Sequence, residues 1–119
     1  MAHLKSYTGG CHCGRMQYEV TTDLSAVIAC NCSNCAKHGL WLTFAKPDQF
    51  KLLSEESELT EYLFNKHVIR HLFCPTCGVE SFARGTGSDK QEMYAINVRC
   101  LDGVDISTLN PKPFDGRSL

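Results

Sequence analysis

Cys30-Asn31-Cys32-Ser33-Asn34-Cys35 places three thiols within six residues in the spacing C-x-C-x-x-C. Three sulfurs held that close make an incomplete tetrahedron. Structural zinc sites are filled by four protein groups, whereas catalytic sites use three and leave the fourth position to water or substrate. Two further pairs, in Cys11-His12-Cys13 and Cys74-Pro75-Thr76-Cys77-Gly78, supply two sulfurs each. The simplest partition of these seven thiols is therefore one closed four-sulfur site and one open three-sulfur site. Soft sulfur ligands suit zinc and also iron, so the spacing by itself leaves the metal open.

The rest of the chain reads outward from these clusters. Before the three-thiol stretch, Arg15 to Val20 alternates, with Met16, Tyr18 and Val20 on one face, as in a half-buried strand. Cys11 and Cys13, read as part of an extended segment, point the same way and can grip one ion. His12 then faces away and reads as a loop histidine. Val27-Ile28-Ala29 reads as a short strand running into Cys30, and Ser33 is placed to cap a short helix ending near Gly39. Cys35 would then sit in the first helical turn, where the dipole and free N–H groups favour the thiolate.

After that helix, Trp41 to Ala45 and Lys51 to Ser54 read as strands separated by a turn at Pro47 to Phe50. Glu55 to Glu58 reads as a solvated loop. Leu59 to Phe64 and Val68 to Phe73 form a hairpin, turning at Asn65-Lys66-His67, that delivers the chain to Cys74. In the Cys74 to Gly78 knuckle, proline fixes one backbone angle and Gly78 permits a positive φ. Val79 to Arg84 is a strand, and Gly85 to Asp89 a loop. Met93 to Cys100 is a further strand, its Cys100 reading as a small core residue. Val104 to Leu109 reads as a short helix, and Asn110 to Pro113 as the end of regular structure. Strands outnumber helices, so the fold should be mainly β, with small antiparallel sheets joined at the closed metal site.

Composition narrows the function. With 119 residues the chain suits a single domain, 1–119. There is no N-terminal apolar segment of the signal-peptide kind, so the eight cysteines read as reduced thiols of a cytoplasmic protein rather than as disulfides. Twelve Lys and Arg are scattered among thirteen Asp and Glu for a formal charge of -1, and two Zn²⁺ on seven thiolates would take this to about -4. That balance argues against a nucleic-acid partner, and no apolar run is long enough for a membrane span.

Taken in order, Gly10-Cys11-His12-Cys13-Gly14, Cys30 to Cys35 and Cys74 to Gly78, with Arg99-Cys100-Leu101-Asp102-Gly103 and Phe114-Asp115-Gly116 in the tail, resemble the glutathione-dependent formaldehyde-activating enzyme family, which includes the centromere protein V domain. The resemblance covers roughly residues 5 to 117. It implies a β-tent fold with two zinc ions: a structural zinc on Cys11, Cys13, Cys74 and Cys77, and a catalytic zinc on Cys30, Cys32 and Cys35. It further implies a carbon-sulfur lyase type of activity joining glutathione and formaldehyde, with glutathione or another small thiol as co-substrate and a small carbonyl compound as its partner.

Within that frame Lys37, Arg70 and Arg99 are the cations available to favour an incoming anion, although each reads first as a solvated surface charge. Trp41 and Phe44 follow the open site and read first as core residues. A homodimer is compatible with the chain. The rival reading is a binding module without catalysis, in which His38, three positions after Cys35, turns inward and completes a Cys₃His site. A second rival makes Cys35 a nucleophile with His38 as its base.

Overall fold

A computed structural model describes residues 4–55, 59–63, 69–86 and 91–115. Ten strands account for nearly half of the described residues: β1 (Lys5–Gly10), β2 (Gln17–Thr22), β3 (Ile28–Cys30), β4 (Trp41–Ala45), β5 (Phe50–Leu52), β6 (Thr60–Tyr62), β7 (Arg70–Phe73), β8 (Glu80–Thr86), β9 (Glu92–Asn97) and β10 (Lys112–Phe114). One α-helix, α1 (Ser33–His38), lies between β3 and β4. The mainly β class expected from the sequence is thus present. The strands form a three-stranded sheet in the order β1-β2-β5 and a seven-stranded sheet in the order β10-β3-β4-β9-β8-β7-β6.

Alternation along β2 decides how the two sheets meet. Tyr18, Val20 and Thr22 are buried while Gln17 and Glu19 face water, and Met16, just before the strand, is buried as well. Tyr18 meets Phe50 from β5 at 5.2 Å between ring centroids, and Phe82 from β8 meets Phe50 at 4.8 Å and Tyr18 at 6.1 Å. Tyr94 from β9 stacks on Phe50 at 4.3 Å. These four rings come two from each sheet, so the aromatic core is the seam between the sheets. Thr22 and Thr43 add a buried hydroxyl pair at 2.9 Å across it.

The Tyr18 hydroxyl sits in this seam without a hydrogen-bond partner. Burial pushes its pKa up strongly, so it stays neutral. Because an unmet buried hydroxyl costs free energy that a phenyl ring does not, Tyr18→Phe should leave the protein as stable as the wild type or more stable by about 1 kcal/mol. Thermal and urea melts of the two proteins check this.

Several boundaries differ from the sequence reading. The strand read at Met93 to Cys100 stops at Asn97, and the chain turns through a 3-10 segment at Val98–Cys100. Asn97 caps that turn by accepting from the Arg99 N–H, a competing local bond that ends the ladder. The helix read at Val104 to Leu109 is a single 3-10 turn, Ile106–Thr108, capped by Asp105. The strand read at Lys51 to Ser54 starts and ends earlier, as β5 from Phe50 to Leu52, and β8 continues to Thr86, past the loop start read at Gly85. Glu55 is exposed, while the other acidic residues of its run and the turn at Asn65-Lys66-His67 lie outside the described residues.

The largest difference is in the tail. Regular structure does not end at Pro113: β10 pairs in parallel with β3, setting Lys112 beside Ile28 and Phe114 beside Cys30. Proline lacks an N–H, but β10 is a sheet edge and its bonds to β3 use other groups, including Lys112 N–H to Val27 O at 2.9 Å and Asn31 N–H to Phe114 O at 3.1 Å. The tail therefore braces the strand that enters the three-thiol stretch.

Candidate metal centres

The first cluster lies where the sheets join. Cys11 and Cys13 follow β1 of the three-stranded sheet, while Cys74 and Cys77 lie between β7 and β8 of the larger one. Ligand atoms of these four residues all fall within 4.8 Å of one another, with Cys11–Cys13 at 3.5 Å and Cys13–Cys74 at 3.6 Å. A tetrahedral zinc with bonds of about 2.3 Å would set its sulfurs about 3.8 Å apart, so the spacing fits a four-sulfur site.

Local structure explains the grouping. Cys11 and Cys13 are presented by a turn, not by the extended segment read from the sequence: Gly14 N–H donates to Cys11 O at 3.3 Å, and Gly14 takes φ 82°. In the second knuckle Gly78 N–H closes on Cys74 O at 2.8 Å with φ 80°, the positive angle expected there. Backbone N–H groups also point at sulfur, from Met16 to Cys11 at 3.3 Å and from Thr76 to Cys74 at 3.4 Å. A side chain β-carbon at Gly10 would collide with the carbonyl oxygen of Met16, which keeps this turn tight.

The crowded sulfurs shift one another's ionisation in opposite directions. The N–H groups of Val79 and Cys13 lower Cys77 to about 6. Cys13 goes the other way, to about 11: desolvation and the neighbouring thiols outweigh the N–H of Arg15, which lowers it. A divalent ion held there would stabilise all four as thiolates. Cys100 is not one of the four and is half-buried at the end of its 3-10 turn. Burial raises its pKa, as suits a neutral core thiol. His12 is exposed and likewise outside the group.

The second cluster brings together Cys30, Cys32 and Cys35, their sulfurs also within 4.8 Å of one another. Cys30 ends β3. Cys32, not Ser33, is the N-cap of α1, and its sulfur accepts from Cys35 N–H at 3.3 Å. The helix ends at Gly39 with φ 65°, as the sequence indicated. The electrostatic expectation for Cys35 is reversed. Burial pushes the Cys35 thiol well up, and the neighbouring sulfurs add to the rise. Cys32 is the lowered thiol: burial opposes ionisation there, but the N–H groups of Cys35 and Asn34 and the adjacent thiols outweigh it. The capping N–H of Cys35 goes to the sulfur of Cys32 and leaves that of Cys35 without it.

Among the described residues no histidine or carboxylate joins this second group. His38 is exposed, and its Nδ1 lies 3.1 Å from the carbonyl oxygen of Asn34. Cys35 is buried while Cys30 and Cys32 are half-exposed, so the group is approached from their side.

The flanking residues divide. Arg99 stacks over Trp41 at 4.4 Å and donates from Nε to Gly39 O at 3.2 Å, at the C-terminal end of α1. Arg70 is held by Glu61 through two bonds of 3.0 and 2.8 Å, and Lys37 is exposed on α1. Phe44 is 45% exposed, so the core role read for it does not hold: Thr43 and Ala45 take the inward positions of β4. Asn34, His71 and Glu80, which the sequence reading passed over, form a buried polar set behind α1.

A mainly β chain with one four-thiol and one three-thiol cluster has two cysteine groups that could each hold a metal ion. Residues 6–113 match the family model of glutathione-dependent formaldehyde-activating enzyme, and the chain belongs to that family. A Rhodobacter sphaeroides protein of known crystal structure is similar at 30% identity, with a TM-score of 0.78 over 89% of this chain and 97% of that one. No helix of the described residues is long and apolar enough to cross a membrane.

Proposed function

We propose that the protein catalyses the joining, and in reverse the separation, of a small thiol and a small carbonyl compound at the three-thiol site, as a carbon-sulfur lyase type of enzyme. Glutathione and formaldehyde, the pair named in the family description, are the first candidates. The observation that carries this reading is the open ligand set: three sulfurs together, two of them half-exposed, with His38 turned to a backbone carbonyl. That geometry also speaks against the binding module closed by His38 and against a Cys35–His38 nucleophilic pair.

In this reading Cys30, Cys32 and Cys35 hold one zinc, and Cys11, Cys13, Cys74 and Cys77 hold another with a structural role. A zinc ion on three thiolates supplies Lewis acidity that favours the thiolate form of an incoming thiol. The chain's own part is to hold the reactants in register. The half-exposed side of Cys30 and Cys32 admits them, and the cation of Arg99, fixed against Trp41, lies at the far end of the same helix. The reaction balances without a redox partner: the sulfur-carbon bond forms, the carbonyl π bond opens, and the thiol proton ends on the new hydroxyl.

The test is the rate of adduct formation from glutathione and formaldehyde above that of the uncatalysed mixture, followed by nuclear magnetic resonance. Wild-type protein loaded with zinc should accelerate it, and Cys32→Ser should return it to the uncatalysed rate. Equal rates for the two proteins would overturn the assignment of this site.

A further inference from the structure

Three polar side chains outside both thiol clusters meet in the interior between α1 and the β7–β8 hairpin. Asn34 is 8% exposed, and His71 and Glu80 are 5% each. Nδ1 of His71 lies 3.1 Å from Oε2 of Glu80. Nδ2 of Asn34 lies 3.2 Å from that same imidazole nitrogen and 3.4 Å from Oε1 of Glu80. One imidazole nitrogen cannot donate to a carboxylate and accept from an amide at once. The arrangement that satisfies the carboxylate has His71 Nδ1–H and the Asn34 amide both donating to Glu80, as charge-assisted bonds.

The same glutamate reaches the other end of α1. Asn97 donates from Nδ2 to Glu80 O at 3.0 Å and accepts from Arg99 N–H at 3.1 Å, and Arg99 in turn donates to Gly39 O at 3.2 Å. The helix is thus held near both ends from one point on β8. Asn34 is flanked by Cys32 and Cys35, and its partners flank the other cluster: His71 precedes Cys74 by three residues and Glu80 follows Cys77 by three. Closing the four-thiol site sets the hairpin that brings imidazole and carboxylate together.

We propose that Asn34 is a positioning residue for the three-thiol site, and that His71 and Glu80 act through it. Anchored to their pair, Asn34 holds the first turn of α1 so that the sulfurs of Cys32 and Cys35 converge with that of Cys30 before a metal arrives. The affinity of the open site therefore depends on the hairpin closed by Cys74 and Cys77. This inference rests on the reading that the three thiols hold a metal. Hydrogen-bonded supports behind metal ligands typically change affinity by about 10- to 100-fold when lost.

The experiment is a chelator titration of full-length, reduced, zinc-loaded protein, reading zinc release together with far-ultraviolet circular dichroism. Wild type should hold two ions and give up one of them first. Asn34→Ala and His71→Leu should release that ion about 10- to 100-fold more readily while the other ion and the spectrum stay as in wild type. His71→Asn, whose amide nitrogen takes the place of Nδ1, should keep the first-released ion nearly as tightly as wild type. The proposal is overturned if Asn34→Ala holds both ions as wild type does, or if both ions weaken together. A wild type that binds a single ion would instead overturn the metal reading beneath it.

Discussion

Cys77→Ser should yield an unfolded or insoluble chain, whereas Cys32→Ser should fold, keep one zinc ion and lose activity. The contrast follows from what each cluster ties together. Cys13 and Cys74 are 61 positions apart, and their sulfurs lie 3.6 Å from each other at the junction of the two sheets. An ion there closes a long loop and fastens β1 to the β7–β8 hairpin. A structural zinc contributes about 10–16 kcal/mol in small zinc peptides, against about 5–15 kcal/mol for the net stability of a whole domain. Loss of one ligand can therefore remove the fold. The three-thiol cluster spans six consecutive residues, and α1 is also held by Asn34 and Arg99, so it has other supports. Zinc content and thermal melts of the two variants check the result, and equal loss of structure in both would show that the second cluster is structural as well.

Phe82→Ala should destabilise the folded protein by about 3–5 kcal/mol, the usual cost of truncating a fully buried phenylalanine. Phe82 is 1% exposed and touches Tyr18, Phe50 and Tyr94, so its ring faces partners from both sheets. Removing it leaves a cavity at the seam that neither sheet can fill without breaking its own hydrogen-bond ladder. Each aromatic pair lost adds about 0.5–1.5 kcal/mol beyond the area buried. Urea melts of the zinc-loaded proteins measure the change, and a loss below about 1 kcal/mol would mean that the sheets are not held at this seam.

The two thiol clusters have different relations to the sequence. The three-thiol one was legible because its sulfurs lie within a single turn-forming stretch, where spacing limits geometry directly. The closed one was legible as two half-sites, each a short turn with two sulfurs and a glycine. What those half-sites do to each other is a matter of sheet pairing: their meeting depends on where β1 and the β7–β8 hairpin come to rest. Short-range preferences were read well where one effect dominated, as in the alternation from Met16 to Val20 and the positive φ of Gly78. They failed where two local bonds compete, as at Asn97, which caps a turn instead of extending a strand.

By itself the sequence determined the mainly β class, the two groups of thiols and the family, because each rests on patterns within a few residues or on their order along the chain. Only the tertiary structure decided that His38 faces a backbone carbonyl, that Cys32 rather than Cys35 receives the capping N–H, and that the tail returns as β10 beside Cys30. It alone brought Asn34, His71 and Glu80 together across 46 positions. These are contacts between distant segments, and for them the burial of each side chain and the hydrogen bonds that burial makes obligatory decide the outcome, neither of which a local pattern encodes.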